Sequence, residues 1–352
     1  PFSGVSLWHA DIIICRFDCR PSSRPGYSYM SGVQTREVSN EDADIRIDRW
    51  FRRYFPEIKH GKLEKLLRTG QIRLDGSRVK ASTRLEAGQM LRIPPLAGAI
   101  TGGTEIPNTS ISRTDSKWIR SLVLHSDDDL IVINKPPGLA VQGGTGITRH
   151  IDKLLTALVP DSAERPKLVH RLDRDTSGVL LIARRASVAA KLGEVFRGRN
   201  AVKSYWALTA GVPSRRAGTI SRSLVKVAGK RGFEKVVANS EVGKSAVTDY
   251  RVIDIAGREV CWLLLKPRTG RTHQLRVHCA LMNTPIIGDK KYGGANKISD
   301  GSSHKVSLHL HAKSITFPHP AGGDFSVSAP LPPNMQSTWD FFGFDTHVKG
   351  AE

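Results

Sequence analysis

From Trp118 to Asp345 the sequence keeps returning to short β-rich runs broken by turn residues, and patterns long enough for a helix are few. The runs Leu130 to Asn134, Val179 to Ala183, Tyr205 to Ala210, Val260 to Lys266 and Leu308 to Phe317 are each of strand length. Short β-rich runs with few long helical patterns are expected to form a mixed α+β domain on a mainly antiparallel sheet. No repeat of solenoid period is present.

A chain of 352 residues is long enough for more than one core. From Ile45 to Pro94 a second pattern is visible. It has a helix-like stretch from Arg46 to Tyr54, another from Gly61 to Arg68, then short strands around Gln71 to Leu74 and Gln89 to Ile93. Gly70 stands where the second helix would end on a left-handed cap, and Asp75-Gly76 is a hairpin signal. Residues 95–117, rich in Gly, Pro, Thr and Ser, read as a linker. Residues 1–44 are expected to be a disordered leader. The first 29 show no periodicity beyond Ile12 to Ile14, and with three Arg beside Asp11 and Asp18 they do not look like an Arg-rich, acid-poor transit peptide.

Charge narrows the partners. The net charge of +20 and a pI near 10.1 indicate a polyanion, nucleic acid first. Residues 45 to 94 hold thirteen Lys and Arg against five Asp and Glu, a surplus of eight. A membrane partner is not expected, because no apolar run approaches the roughly 18 residues of a span and no strong basic amphipathic helix is present. Four cysteines, Cys15, Cys19, Cys261 and Cys279, are too few and scattered for a disulfide framework and fit a reducing compartment, the cytoplasm. His273, His278 and Cys279 lack the spacing of a metal motif, and Gly143-Gly144 and Gly293-Gly294 are too short for a phosphate loop. Neither metal nor organic cofactor is expected.

Chemistry concentrates in four blocks: Asn134 to Gly138 (NKPPG), His170 to Gly178 (HRLDRDTSG), Lys203-Ser204-Tyr205, and Gly270 to His278 (GRTHQLRVH). The second sets a carboxylate, Asp173, between two arginines and just before a turn that feeds the apolar run Val179 to Ile182. As residue types, these fit a nucleophile or base, and equally an Asx-type turn with a surface ion pair. Taken together and in order, the blocks resemble the large ribosomal-subunit branch of the pseudouridine synthases. The basic segment ahead of them resembles the small αL RNA-binding domain, and the likeness spans roughly Arg46 to Asp345.

The resemblance implies that Asp173 is the catalytic aspartate, that Tyr205 stacks on the target base, that Arg276 pairs with the aspartate, and that Arg171 fills the gap left by a flipped uridine. It also implies an apolar wall from Leu275 and RNA contacts from Arg46, Arg49, Lys62, Lys65, Arg68, Arg73, Arg78 and Lys80. The implied partner is large-subunit ribosomal RNA, met by a monomer that isomerises uridine without metal or cofactor. Rival expectations are a noncatalytic RNA-binding or ribosome-assembly protein, and an organellar ribosomal RNA synthase.

Overall fold

A computed structural model describes residues 33–96, 111–143, 147–159, 164–228, 234–294 and 306–351. The chain divides into two compact units, Pro1–Thr109 and Ser110–Glu352. In the first, strand β1 (Gln34–Glu37) precedes helices α1 (Ile47–Tyr54) and α2 (His60–Arg68), then strands β2 (Arg73–Leu74) and β3 (Met90–Ile93). The strands form one antiparallel sheet in the order β1-β3-β2. Helix α1 buries Ile47, Trp50 and Phe51, a spacing of three and four that puts them on one face, while Arg49, Arg52 and Arg53 stay exposed. Asp42 is buried beneath this helix, accepting from Trp50 Nε1 (3.1 Å), Tyr54 Oη (2.8 Å) and Arg53 (3.1 Å). Asp75 and Gly76 (φ +49° and +76°) make the tight turn that returns Leu74 onto Ser77.

Two expectations about segment ends are corrected here. Strand β1 falls inside the supposed leader of residues 1–44, and its pairing with β3 extends the unit upstream of Ile45. It escaped the sequence pattern because it is short and polar, with Gln34 only partly covered and the rest exposed. The supposed linker also ends early. Ser112 accepts the Asp115 N–H at 3.0 Å and caps a helix from Arg113, a cap hidden in a Ser/Thr-rich stretch. Residues 97–110 of that linker, 1–32 of the leader (with Cys15 and Cys19) and Gly144 lie outside the described residues.

The second unit begins with α3 (Arg113–Ser121), β4 (Val123–Ser126), β5 (Leu130–Lys135), α4 (Ile151–Leu154), β6 (Lys167–Leu168), β7 (Ser177–Ala183), α5 (Ala186–Arg197) and β8 (Val202–Ala210). It continues with β9 (Ala217–Ala228), β10 (Glu234–Ala238), β11 (Lys244–Ala256), β12 (Val260–Pro267), α6 (Gln274–Leu281), β13 (Leu310–Pro318), β14 (Asp324–Ser328) and α7 (Pro333–Phe341). The strands join in one mixed sheet, β10-β9-β11-β12-β8-β13-β7-β5-β4, with β14 beside β13 and β6 beside β7. The expected α+β class with a mainly antiparallel sheet is what is found, β7 and β13 being parallel.

Helices cover both faces, which is why the strand sequences read as continuous apolar runs rather than clean alternations. In β5 and β7, Ile131, Ile133, Leu180 and Ile182 pack toward α3 and α4, whereas Leu130, Val132 and Leu181 pack toward Val188 and Leu192 of α5. In β8 and β12, Ala207, Leu263 and Leu265 face α6, whereas Trp206, Leu208, Trp262 and Leu264 face Met335 and Trp339 of α7. Tyr205 shares the α6 face and meets Leu265 on one side and Ala312 on the other.

The β7/β13 pairing fixes the loop that precedes β7. Gly178 (φ +108°) lies so close to β13 that a Cβ would sit 2.2 Å from the Ala312 carbonyl oxygen. Gly178→Ala is therefore expected to cost more than about 3 kcal/mol, through strain and a pushed-apart strand pair. Thermal unfolding should show a melting temperature lower by at least ~6 °C. A shift under 2 °C, by the same scaling, would mean the pairing is not needed.

Candidate active site

The loop from His170 to Thr176, between β6 and β7, carries Asp173. Apolar packing holds one side of it, since Leu172 is buried in the cluster with Ile133 and Leu180. A turn closes it, the Thr176 N–H donating to the Asp173 carbonyl at 3.2 Å. His170 anchors its start: Nε2 accepts the Leu181 N–H at 3.1 Å while the ring stacks on Phe196. Burial, helped by Lys203, pushes this imidazole down to about 3, so it is a neutral structural acceptor.

Lys135 supports the loop from beneath. It is fully buried, and its ammonium donates to the carbonyls of Pro136 (2.7 Å), Leu139 (2.9 Å) and Arg174 (2.9 Å). Burial pulls its pKa down to about 7 while Asp175 and Asp173 pull it back up. Arg174 adds a bond from Nε to the Gly138 carbonyl at 3.0 Å. The Asn134 to Gly138 block thus buttresses the aspartate loop.

Helix α6 supplies the facing wall. Gln274, buried at its start, accepts from Thr269 Oγ1 (2.8 Å) and the Arg271 N–H (3.0 Å), and donates to the Val247 carbonyl and Thr248 Oγ1, both at 2.9 Å. This staples residues 269–273 onto β11. Two residues further on, Arg276 is 8% exposed, and its guanidinium reaches Asp173 Oδ2 at 3.7 Å. Its tighter partner is Asp289, which accepts from Nε and Nη2 at 2.7 Å each. Burial works against the Arg276 charge, but the hydrogen bond and charge of Asp289, with Asp173 behind them, raise its pKa overall. Asp289 is itself 1% exposed and also accepts the Lys291 N–H at 2.9 Å.

Between these walls lies a groove of about 940 Å³. Asp173, Tyr205, Arg276, His273 and Leu275 line it, and Arg171, Arg197, Arg199, Lys203, Arg268 and Arg271 make it basic. Burial, and then the charge of Asp173, raises the Tyr205 pKa above the ordinary phenol value, so it is a neutral ring at physiological pH. Four expected residues, Asp173, Tyr205, Arg276 and Arg171, therefore converge. Among the described residues no group of three or more His, Cys, Asp or Glu is arranged to hold a metal ion. His278 Nδ1 is engaged with Thr248 Oγ1 at 2.9 Å.

The remaining sequence candidates belong to the first unit. Arg49, Lys62, Lys65, Arg68, Arg78 and Lys80 are exposed. Arg46 and Arg73 have internal duties as well: Arg46 pairs with Asp48 at 2.6 Å, and Arg73 donates to the carbonyls of Gly70 and Gly76 at 3.1 Å each. The sequence reading missed Asp289 and Lys135 as site supports. Lys135 lay inside a block already singled out, whereas Gly288-Asp289-Lys290-Lys291 has the wording of an ordinary turn.

Comparisons with known proteins identify the family. A sequence profile for the family described as RNA pseudouridylate synthase matches residues 129–281, from β5 through α6. RNA pseudouridine synthase 4, mitochondrial, of Arabidopsis thaliana is 33% identical, the match covering 90% of this chain and 83% of that protein. The chain belongs to the RNA pseudouridylate synthase family. This synthase is 36% identical to ribosomal large subunit pseudouridine synthase C of Haemophilus influenzae, over 84% of its own length and 90% of the relative's. A solved structure of human RNA pseudouridylate synthase domain containing 4 superposes with a TM-score of 0.55 at 32% identity, covering 64% of this chain and 95% of that one. The protein is an isomerase that converts uridine in RNA to pseudouridine. A noncatalytic RNA-binding role is set aside.

The Asp289 contact yields a direct test. Asp289→Asn keeps the shape but leaves the buried Arg276 without its counter-charge, a change worth about 3 kcal/mol or more at such pairs. Turnover is expected to fall about a hundredfold as the guanidinium loses register, with RNA affinity within about threefold of wild type. Unchanged turnover would show that Arg276 needs no second carboxylate.

Proposed function

We propose that this synthase isomerises uridines of large-subunit ribosomal RNA, with Asp173 as the reacting carboxylate, Tyr205 as the platform for the base and Arg276 as the cation beside the carboxylate. The observation that carries this reading is the meeting of Asp173 Oδ2 and Arg276 at 3.7 Å within a basic groove. The reaction breaks the bond from C1′ to N1, turns the uracil and joins C1′ to C5, while C5 loses a proton and N1 gains one. It needs no oxidant and no phosphate. A carboxylate with a guanidinium beside it suits it, whether it attacks sugar or base or removes a sugar proton.

The target nucleotide must leave its stack to reach Asp173, at a cost of a few kcal/mol. Arg171, exposed at the groove, fills the gap, and the neutral Tyr205 ring takes the base on its face. The exposed cations of the first unit, Arg49, Lys62, Lys65, Arg68, Arg78 and Lys80, add phosphate affinity independent of base sequence, with Arg46 and Arg73 beside them. We assign residues 34 to 94 to this docking module. An internal isomerisation of this kind calls for no metal or organic cofactor, and we propose that the enzyme acts as a monomer without either.

The bacterial relative is named for the large ribosomal subunit, which supports that RNA as substrate. We propose that the reaction takes place in the cytoplasm, a reading supported by the likeness to a bacterial ribosomal RNA enzyme. A second reading is an organellar ribosomal RNA synthase, and the Arabidopsis relative, named mitochondrial, supports the organellar part of it. Imaging the tagged full chain separates the two.

Incubating the purified protein with large-subunit and small-subunit ribosomal RNA and mapping pseudouridine is the test. New pseudouridine is expected in the large-subunit RNA alone. A protein lacking residues 1–96 should bind more weakly, with a flatter salt dependence, because fewer counterions are released. Modification confined to another RNA class would overturn the substrate, and an unchanged salt slope would overturn the docking role.

A further inference from the structure

His273 stands at the N-terminus of α6 with φ +53°, a left-handed conformation that costs a bulky residue energy and persists only where the surroundings enforce it. Its Nε2 lies 3.9 Å from Asp173 Oδ2, the same oxygen that Arg276 Nη1 approaches at 3.7 Å. Its Nδ1 is bound to Tyr292 Oη at 2.8 Å.

Tyr292 bears on which nitrogen carries the proton. The Val236 N–H donates to Tyr292 Oη at 3.1 Å, so the phenol already acts as an acceptor. Its own hydrogen is then available to point at His273 Nδ1, the arrangement that gives both groups a partner. A neutral imidazole that accepts at Nδ1 carries its hydrogen on Nε2, here on the side of Asp173. Burial lowers the His273 pKa; Arg276 and Lys291 lower it further, while Asp173 and Asp289 oppose them. The ring is neutral near pH 7. Tyr292 is fixed in turn, its ring edge against His273 and its face beneath the Arg276 guanidinium at 5.2 Å.

We propose that His273 is a positioning residue for Asp173: its Nε2–H and the Arg276 guanidinium hold Oδ2 from two sides and leave Oδ1 as the oxygen that reacts. The inference rests on Asp173 being the reacting carboxylate. It assigns Tyr292 the task of fixing the tautomer, and it accounts for the strained backbone at His273, which aims the ring across the groove instead of along the helix.

The test compares His273→Asn with His273→Gln in the full chain. Asparagine tolerates positive φ but is too short to reach Asp173, whereas glutamine extends an amide N–H toward the place of Nε2. Single-turnover rates should fall about tenfold or more in His273→Asn, with RNA affinity within about twofold of wild type, and His273→Gln should regain most of the loss. In parallel, nitrogen NMR of labelled wild-type protein should find Nδ1 of His273 unprotonated and Nε2 protonated at neutral pH, a readout that stands even if a variant fails to fold. The proposal is overturned if His273→Asn turns over at the wild-type rate, if affinity falls in step with rate, or if Nδ1 carries the proton. Asp173→Asn is run alongside. Should it stay active, the proposed reacting carboxylate is wrong; should it be dead while His273→Asn is unaffected, only the positioning role falls.

Discussion

The buried pairing of Arg276 with Asp289 is the interaction on which the geometry of the groove depends. Two parallel hydrogen bonds of 2.7 Å orient the guanidinium plane, and the third nitrogen is left to face Asp173. Neither charge is tolerated alone at such burial. The cation needs Asp289 to exist there, and the groove needs the cation. Because Arg276 sits in the first turn of α6, its position also depends on Gln274, which ties residues 269–273 to β11.

The aspartate loop depends on different physics. It is held by packing through Leu172, by the Lys135 ammonium under the Arg174 carbonyl, and by a strand pairing in which only a glycine fits at position 178. Two independently braced walls therefore meet at one oxygen of Asp173. Rigid support of this kind lowers the reorganisation needed when a uridine of the RNA arrives, which is where preorganised charge gains most of its effect. The surrounding arginines are exposed and contribute through the long-range field that draws in a polyanion.

Much of this was legible in the sequence. The five apolar runs were found within a few residues of β5, β7, β8, β12 and β13, because a strand covered on both faces is apolar throughout. The two longest strands, β9 and β11, were not read. They alternate with exposed polar and charged residues such as Ser221, Arg222, Ser245 and Arg251, and their pattern appears only once they pair with each other. Asp173, Tyr205 and Arg276 were named from wording alone, but Asp289 was not, since its role arises from a contact thirteen residues away that no local pattern announces. His273 lacks the spacing of a metal motif, and nothing local in the sequence marks it as a partner of Asp173. Its left-handed backbone and its approach to Asp173 are tertiary facts.

The central claim is that the Asp173 carboxylate takes part in the chemistry while the charge around it binds RNA. Asp173→Asn preserves size and most hydrogen bonding and removes only the anion. Single-turnover release of tritium from C5 of labelled uridine in a ribosomal RNA fragment, with filter binding in parallel, measures both properties at once. The account predicts release slowed by more than about a thousandfold with RNA affinity near wild type. Release within about tenfold of wild type would contradict it and make Asp175 the carboxylate to examine.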